Sequence, residues 1–287
     1  MATSAVQACP LRCPAICQEK AKLAQWSAEA AMAEEAYRPA GKREVDGYDE
    51  VTAPEDLQKL NLDPDMLTPS DSEFRAAVFR KKGTDDYVVA FKGTSSKVDI
   101  WPSLVQGTGN KSDYYTRAQQ IARNSSERVG KASVSGVSFT GHSLGGGLAS
   151  AAARATGRPA TTFNAAGLHD KTVTAPKAAP IDAVRVKGEI LTAAQTALPI
   201  PKAAHAGKPY TLDPPANVGS AMQQSGLSPS DGLAYLFGPK IGTLWNGGKY
   251  VKGMAARGVE LHKMKAVRDS LEARSKQIRP QAQACGC

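Results

Sequence analysis

Eleven residues near the middle of the chain constrain it most: Val137-Ser138-Phe139-Thr140-Gly141-His142-Ser143-Leu144-Gly145-Gly146-Gly147. A short β-prone apolar run ends in Gly-His-Ser-Leu-Gly, and an alanine-rich helical pattern follows at once. This is G-x-S-x-G in the context it requires, strand then sharp turn then helix. Such a turn strains the serine backbone and lifts the Ser143 hydroxyl clear of the main chain. Gly141 and Gly145 remove side chains where strand and helix crowd together. The Leu144 N–H, at the start of the helix, would point to where a substrate oxyanion forms.

The flanking pattern supplies a fold for this elbow. Gln18 to Tyr37 reads as an amphipathic helix, with Leu23, Trp26, Ala30, Ala33 and Tyr37 at helical spacing. Arg38 to Thr68 is turn-rich, and the expectation there is loops with one short helix. Phe74 to Arg80 and Tyr87 to Phe91 read as strands joined by a hairpin around Lys82 to Asp86. Asp113 to Arg128 is helical, with Tyr114, Ala118, Ile121 and Ala122 on one face. Ala160 to Phe163 and Ala183 to Lys187 are further strands, and Leu261 to Lys276 is a last helix with Met264, Val267 and Leu271 as its stripe. Strands alternating with helices argue for βαβ units and a mostly parallel sheet flanked by helices. Pro199 to Pro215 reads as irregular.

Charge and cysteines bound the partners and the compartment. The net charge is +9, from 36 Lys and Arg against 27 Asp and Glu, which favours an anionic surface. No basic run is dense enough, or interleaved enough with aromatics, for a nucleic-acid groove. Approach to a membrane surface fits better. No stretch is long and apolar enough to span a bilayer, and no continuous apolar segment marks a signal peptide, so a cytoplasmic origin without a cleaved signal is expected. Cys9, Cys13, Cys17, Cys285 and Cys287 sit only at the ends. Their spacing is not a zinc signature, and reduced thiols outside the core are the simpler expectation, with a disulfide between the ends left open.

A serine nucleophile needs a base to take its proton and an acid to orient that base. In α/β-hydrolases the chain order is Ser, then Asp or Glu, then His. Of the four histidines, His142 precedes the serine and points elsewhere, and His169 follows too soon for an acid-bearing strand to intervene. His205 and His262 remain.

The chain resembles the class 3 lipases, a family of α/β-hydrolases, and especially bacterial relatives that resemble phospholipase effectors delivered by type VI secretion. Phe91-Lys92-Gly93-Thr94 resembles the family's Phe-Arg-Gly-Ser/Thr element, with lysine for the usual arginine. The resemblance implies that Thr94 and Leu144 form the oxyanion hole. The family's acid stands in Gly-Asp-Pro after a late strand; here Gly188-Glu189-Ile190 fills that place, one methylene longer. Asp182, which precedes its strand, and Asp213, in a proline-rich loop, are the rivals. The family's histidine opens the C-terminal region near a helix start, which is the position of His262, whereas His205 lies in a loop.

The expectation is therefore one α/β-hydrolase domain over 18–279, between a flexible segment at 1–17 and a flexible tail at 280–287, with a lid or insertion near 199–250. Ser143, Glu189 and His262 would hydrolyse lipid esters as a phospholipase A-type or lipase antibacterial effector, with no metal or organic cofactor needed. Trp101, Leu104 and the apolar residues between Val218 and Tyr250, Trp245 among them, are candidates for an acyl groove, lid or membrane contact. The implied partners are a lipid or phospholipid substrate, an immunity protein and a secretion-spike component, and no nucleic acid. The alternatives are a small-ester esterase or thioesterase, and a hydrolase fold that only binds a partner.

Overall fold

A computed structural model describes residues 13–94, 112–131, 133–197, 207–216 and 257–287. Its centre is a seven-stranded sheet in simple sequential order. The strands are β1 (Tyr48–Glu50), β2 (Ala76–Lys81), β3 (Asp86–Phe91), β4 (Gly136–His142), β5 (Ala160–Phe163), β6 (Ile181–Val186) and β7 (Lys208–Leu212). The first three pair antiparallel and β3 through β7 pair parallel. The β2–β3 hairpin turns at Gly83, whose φ of 73° suits glycine.

Alternation along the strands sorts side chains into two layers. In β3, Val89 and Phe91 face one side, where they meet Leu57, Leu60, Ile121 and Leu148. Those four belong to or adjoin α2 (Pro54–Lys59), α4 (Ser112–Ser126) and α5 (Leu144–Thr156), with α3 (Pro64–Leu67) beside them. Val88 and Ala90 face the other side and meet Met32 of α1 (Cys13–Glu35). Farther along that face, Phe163, Val184 and Val186 pack on Leu23 and Trp26 of α1 and on Val267 and Leu271 of α7 (Met264–Ala284). Both faces are covered, which is why five of the six β3 residues are buried and the strand reads as a nearly continuous apolar run. The result is an α/β-hydrolase architecture, as expected from the order of strands and helices.

Several elements differ from expectation. The turn-rich stretch before Thr68 holds a strand and two short helices, and the proline-rich stretch before Pro215 contains β7. An eight-residue helix, α6 (Ile190–Ala197), follows Glu189. The largest correction concerns the ends. Helix α1 already begins at Cys13, and α7 continues through Pro280 to Ala284, where a flexible tail was expected. Cys13 is disulfide-bonded to Cys285 and Cys17 to Cys287, so these are not free thiols. The physical reason is that α1 and α7 lie antiparallel on one face of the sheet, which Arg274–Glu19 and Arg268–Glu34 ion pairs also mark. That packing brings the chain ends together. Cys9 and most of the expected lid or insertion, with Trp101, Leu104, His205 and Trp245, lie outside the described residues.

Candidate active site

The elbow forms as its sequence demands. Ser143 joins β4 to α5 with φ 58° and ψ −123°, a region that side-chain-bearing residues rarely occupy. The surrounding structure holds it there: the Ser143 N–H donates to the Phe163 carbonyl (3.1 Å), and the Ser143 carbonyl accepts from Ala166 N (2.9 Å) and Gly147 N (3.2 Å). A side chain at Gly145 would run into the Phe91 carbonyl, so the start of α5 lies directly against the 91–93 segment.

Ser143, Glu189 and His262, far apart in sequence, come together. His262 Nε2 is 3.0 Å from Ser143 Oγ, and His262 Nδ1 is 2.7 Å from Glu189 Oε2. All three are buried, with Glu189 fully so. Glu189 sits at the β6 end, just before α6, where the first amides of a helix lack intrahelical acceptors. Its Oε2 also accepts from Leu191 N (2.9 Å) and its Oε1 accepts from Thr192 N. Burial alone would push the Glu189 carboxyl up. Hydrogen bonds from the His262 ring and the Thr192 amide, joined by attraction to the imidazolium whenever His262 is protonated, outweigh it and hold the carboxyl below its ordinary range. An ionised carboxylate can only accept, so His262 Nδ1 carries the proton. Nε2 is then left with its lone pair toward the serine hydroxyl.

The rival acids lie elsewhere. Asp182 does not precede its strand but is the second residue of β6, at the opposite end from Glu189, where it accepts from Lys22 Nζ (2.8 Å) and Trp26 Nε1 (3.1 Å). Asp213 follows β7 and lines a cavity of about 730 Å³ bounded by α1, β7 and α7, which no residue of the Ser143–His262–Glu189 chain borders. His169 is exposed, its Nδ1 accepting from the Lys171 amide.

Leu144 is the first residue of α5 and is buried, so its N–H has no intrahelical acceptor. Thr94 closes the segment that abuts the elbow, and its buried Oγ1 has no hydrogen-bond partner among the described residues. Both predicted oxyanion donors thus belong to elements that touch each other.

Sequence reasoning missed a supporting group. His142, Asn164 and Tyr37 meet around the His262 backbone, through His142 Nε2 (2.6 Å to His262 O) and Asn164 Nδ2 (3.1 Å to the same oxygen). Tyr37 Oη lies 3.1 Å from His142 Nδ1. Tyr37 was legible only as one position on a helix stripe, and His142 only as a motif residue facing away from the serine hydroxyl.

Comparison with known proteins adds a family. A model described as a Tle-like phospholipase domain matches residues 28–224, a span that includes Thr94, Ser143, Leu144 and Glu189 and stops short of His262. The chain is 39% identical over 117 residues to extracellular phospholipase A1 of Serratia liquefaciens, covering 41% of this chain and 35% of that protein. It thus matches about a third of that relative's length. Among solved structures, it is similar to the Rhizomucor miehei lipase propeptide complex. A deletion mutant matches at 16% identity with a TM-score of 0.44, over 68% of this chain and 67% of that one. The native form matches at 16% identity with a TM-score of 0.35, over 64% and 80%.

Proposed function

The chain belongs to the Tle-like phospholipase domain family, and from that premise we propose that it is a serine hydrolase cleaving carboxylic esters of membrane phospholipids, in the manner of a phospholipase A. The observation that carries the reading is the Ser143–His262–Glu189 hydrogen-bonded chain, with His262 Nε2 aimed at Ser143 Oγ. In the first half-reaction Ser143 Oγ bonds to the ester carbonyl carbon while its proton passes to His262 Nε2. Glu189 balances the imidazolium that forms. The carbonyl oxygen, now negative, is held by the N–H groups of Thr94 and Leu144, commonly the largest single contribution to such catalysis. The carbon–oxygen bond to the leaving lysolipid breaks as His262 returns the proton to that oxygen. A water molecule then repeats the sequence on the acyl-enzyme and releases the fatty acid. None of these steps requires a metal or organic cofactor.

The effector role, with export through a secretion spike and an immunity protein as antagonist, is part of the same reading. The pair of disulfides supports only the part of it that places the protein outside the cytosol, because such bonds persist in oxidising compartments and are rare in the cytosol. No helix among the described residues is long and apolar enough to cross a membrane. The basic charge suits transient contact with an anionic bilayer instead.

The test is hydrolysis of anionic phospholipid vesicles beside a short-chain soluble ester, with products identified. Wild type should release fatty acid and lysolipid, and Ser143→Ala should lose on the order of 10⁴-fold or more on both substrates. Intact vesicles with rapid cleavage of the soluble ester would replace this reading with a small-ester esterase.

A further inference from the structure

His142 lies beside the nucleophile, is buried and takes no part in the steps above. Its surroundings leave its ring only one consistent arrangement. Nε2 faces the His262 carbonyl at 2.6 Å, and a carbonyl oxygen only accepts, so Nε2 carries the proton. Nδ1 is then an acceptor, and Tyr37 Oη, 3.1 Å away, donates to it. The same His262 carbonyl receives a second donor, Asn164 Nδ2 at 3.1 Å, which also reaches the Leu261 carbonyl at 3.0 Å. Asn164 is itself fixed: its Oδ1 accepts from Val186 N (2.9 Å) at the end of β6, and its backbone sits at φ 43°, which asparagine tolerates.

We propose that His142 is a positioning residue for His262: its Nε2–H and the Asn164 amide fix the His262 backbone carbonyl, and Tyr37 fixes the His142 tautomer that makes this possible. The inference rests on the reading of His262 as the base. The need follows from topology. Ser143 and Glu189 follow β4 and β6, the two parallel strands that flank β5, and inherit their positions from the sheet. His262 does not; it lies between the sheet and α7, and its ring must meet both partners within a few tenths of an ångström. Two donors from the tips of β4 and β5 tie its backbone to the strands that carry the rest of the site.

The two imidazoles, 4.8 Å apart between centroids, hold opposite tautomers, and that opposition has a use. His262 must gain a proton during the reaction. Burial, with the nearby charge on His262, lowers the His142 pKa to about 3, so His142 stays neutral and keeps donating while its neighbour becomes a cation. A lysine or arginine in its place would donate equally well but would oppose that step by its charge.

The test compares His142→Leu, His142→Gln and Tyr37→Phe on a soluble ester that wild type cleaves and Ser143→Ala does not. Cleavage of no ester by wild type would count against the hydrolase reading itself and leave the positioning claim to spectroscopy. Given activity, His142→Leu should lower kcat about 100-fold at little change in KM, because a misplacement near 1 Å costs that much, and His142→Gln, which keeps a donor at the Nε2 position, should recover most of it. Tyr37→Phe should lower kcat less, with KM and Tm near wild type. Independently, ¹⁵N spectra of wild type at neutral pH should show His142 protonated at Nε2 and bare at Nδ1. Wild-type kcat in His142→Leu or in Tyr37→Phe overturns the proposal, as does a folded His142→Gln no better than His142→Leu, or a His142 proton found on Nδ1. If His142→Leu fails to fold, the Tyr37→Phe kinetics and the ¹⁵N spectra decide.

Discussion

Two glutamates are almost equally buried and behave in opposite ways. Glu189 is 0% exposed and Glu29, on the α1 face toward the sheet, is 4% exposed. Glu189 meets three donors: the His262 ring and two amides at the start of α6. Glu29 receives Gln25 Nε2 on Oε1 (3.1 Å), and its Oε2 has no hydrogen-bond partner among the described residues. The Glu189 carboxyl is accordingly held below its ordinary range. Burial raises that of Glu29 to about 7; Thr161 and Gln25 oppose the rise only in part, and the Asp182 charge adds to it. Removal from water penalises both charges alike. What separates a working carboxylate from a stability liability is the number of donors prepared for it.

The contrast is broken most sharply by truncation. Glu189→Ala should lower kcat/KM on the order of 10⁴-fold, the scale seen when the orienting acid of such a triad is lost. Glu29→Ala, Asp182→Ala and Asp213→Ala should each stay within a few-fold of wild type in the same ester assay. If Asp213→Ala were the damaging change, Glu189 would not be the acid, whatever its hydrogen bonds.

How far this was legible in the sequence depends on whether the cause was local. The elbow and β2 through β6 follow from short-range patterns and were readable, whereas Glu189 and His262 were singled out only through the resemblance to the class 3 lipases. Strands β1 and β7 are short edge strands, and β7 carries Pro209, a residue that argues against a strand everywhere except at an edge. Helix α6 lacks the usual Ser, Thr, Asp or Asn start because Glu189 supplies the cap while also serving His262. Glu29 looks like any charge on an amphipathic helix; only the sheet beneath makes it buried. Cysteine pairing depended on α1 and α7 lying side by side, which spacing does not reveal.

That pairing bears on the comparison, because it is α1 that carries the unfavourable glutamate. The two disulfides close loops spanning nearly the whole chain, and together they should contribute about 5 kcal/mol by restricting the unfolded chain. Urea unfolding with and without a reductant, or of a Cys13→Ser/Cys17→Ser variant, measures this. The loss should be partly recovered by adding Glu29→Gln. Equal midpoints in oxidised and reduced protein would show that α1 is held by packing alone.

The smallest effect is the most diagnostic, because it turns on a sign. Glu29 has a folded pKa of about 7 against an ordinary 4.5. Below pH 4.5 the carboxyl is protonated in both states and contributes nothing. Between 4.5 and 7 the folded protein keeps a proton that the unfolded chain has released, so this residue's contribution falls as pH rises. Above pH 7 the full cost is present, up to about 3 kcal/mol for a shift of this size. Glu189 works in the other direction: its depressed pKa contributes stability that is present above the unfolded value and lost as pH falls through the folded one. The same substitution should therefore have opposite consequences at the two sites. Glu29→Gln supplies a neutral side chain of the same size and should stabilise the protein at pH 8, with the gain shrinking toward zero near pH 4. Glu189→Gln turns amide hydrogens toward donors that need an acceptor, and should destabilise at pH 8 and less in acid. Unfolding free energies of both variants at pH 4, 6 and 8 give the answer. A Glu29→Gln difference that is flat across that range, or largest at pH 4, would show that Glu29 is solvated in the native protein and that its burial does not set its charge.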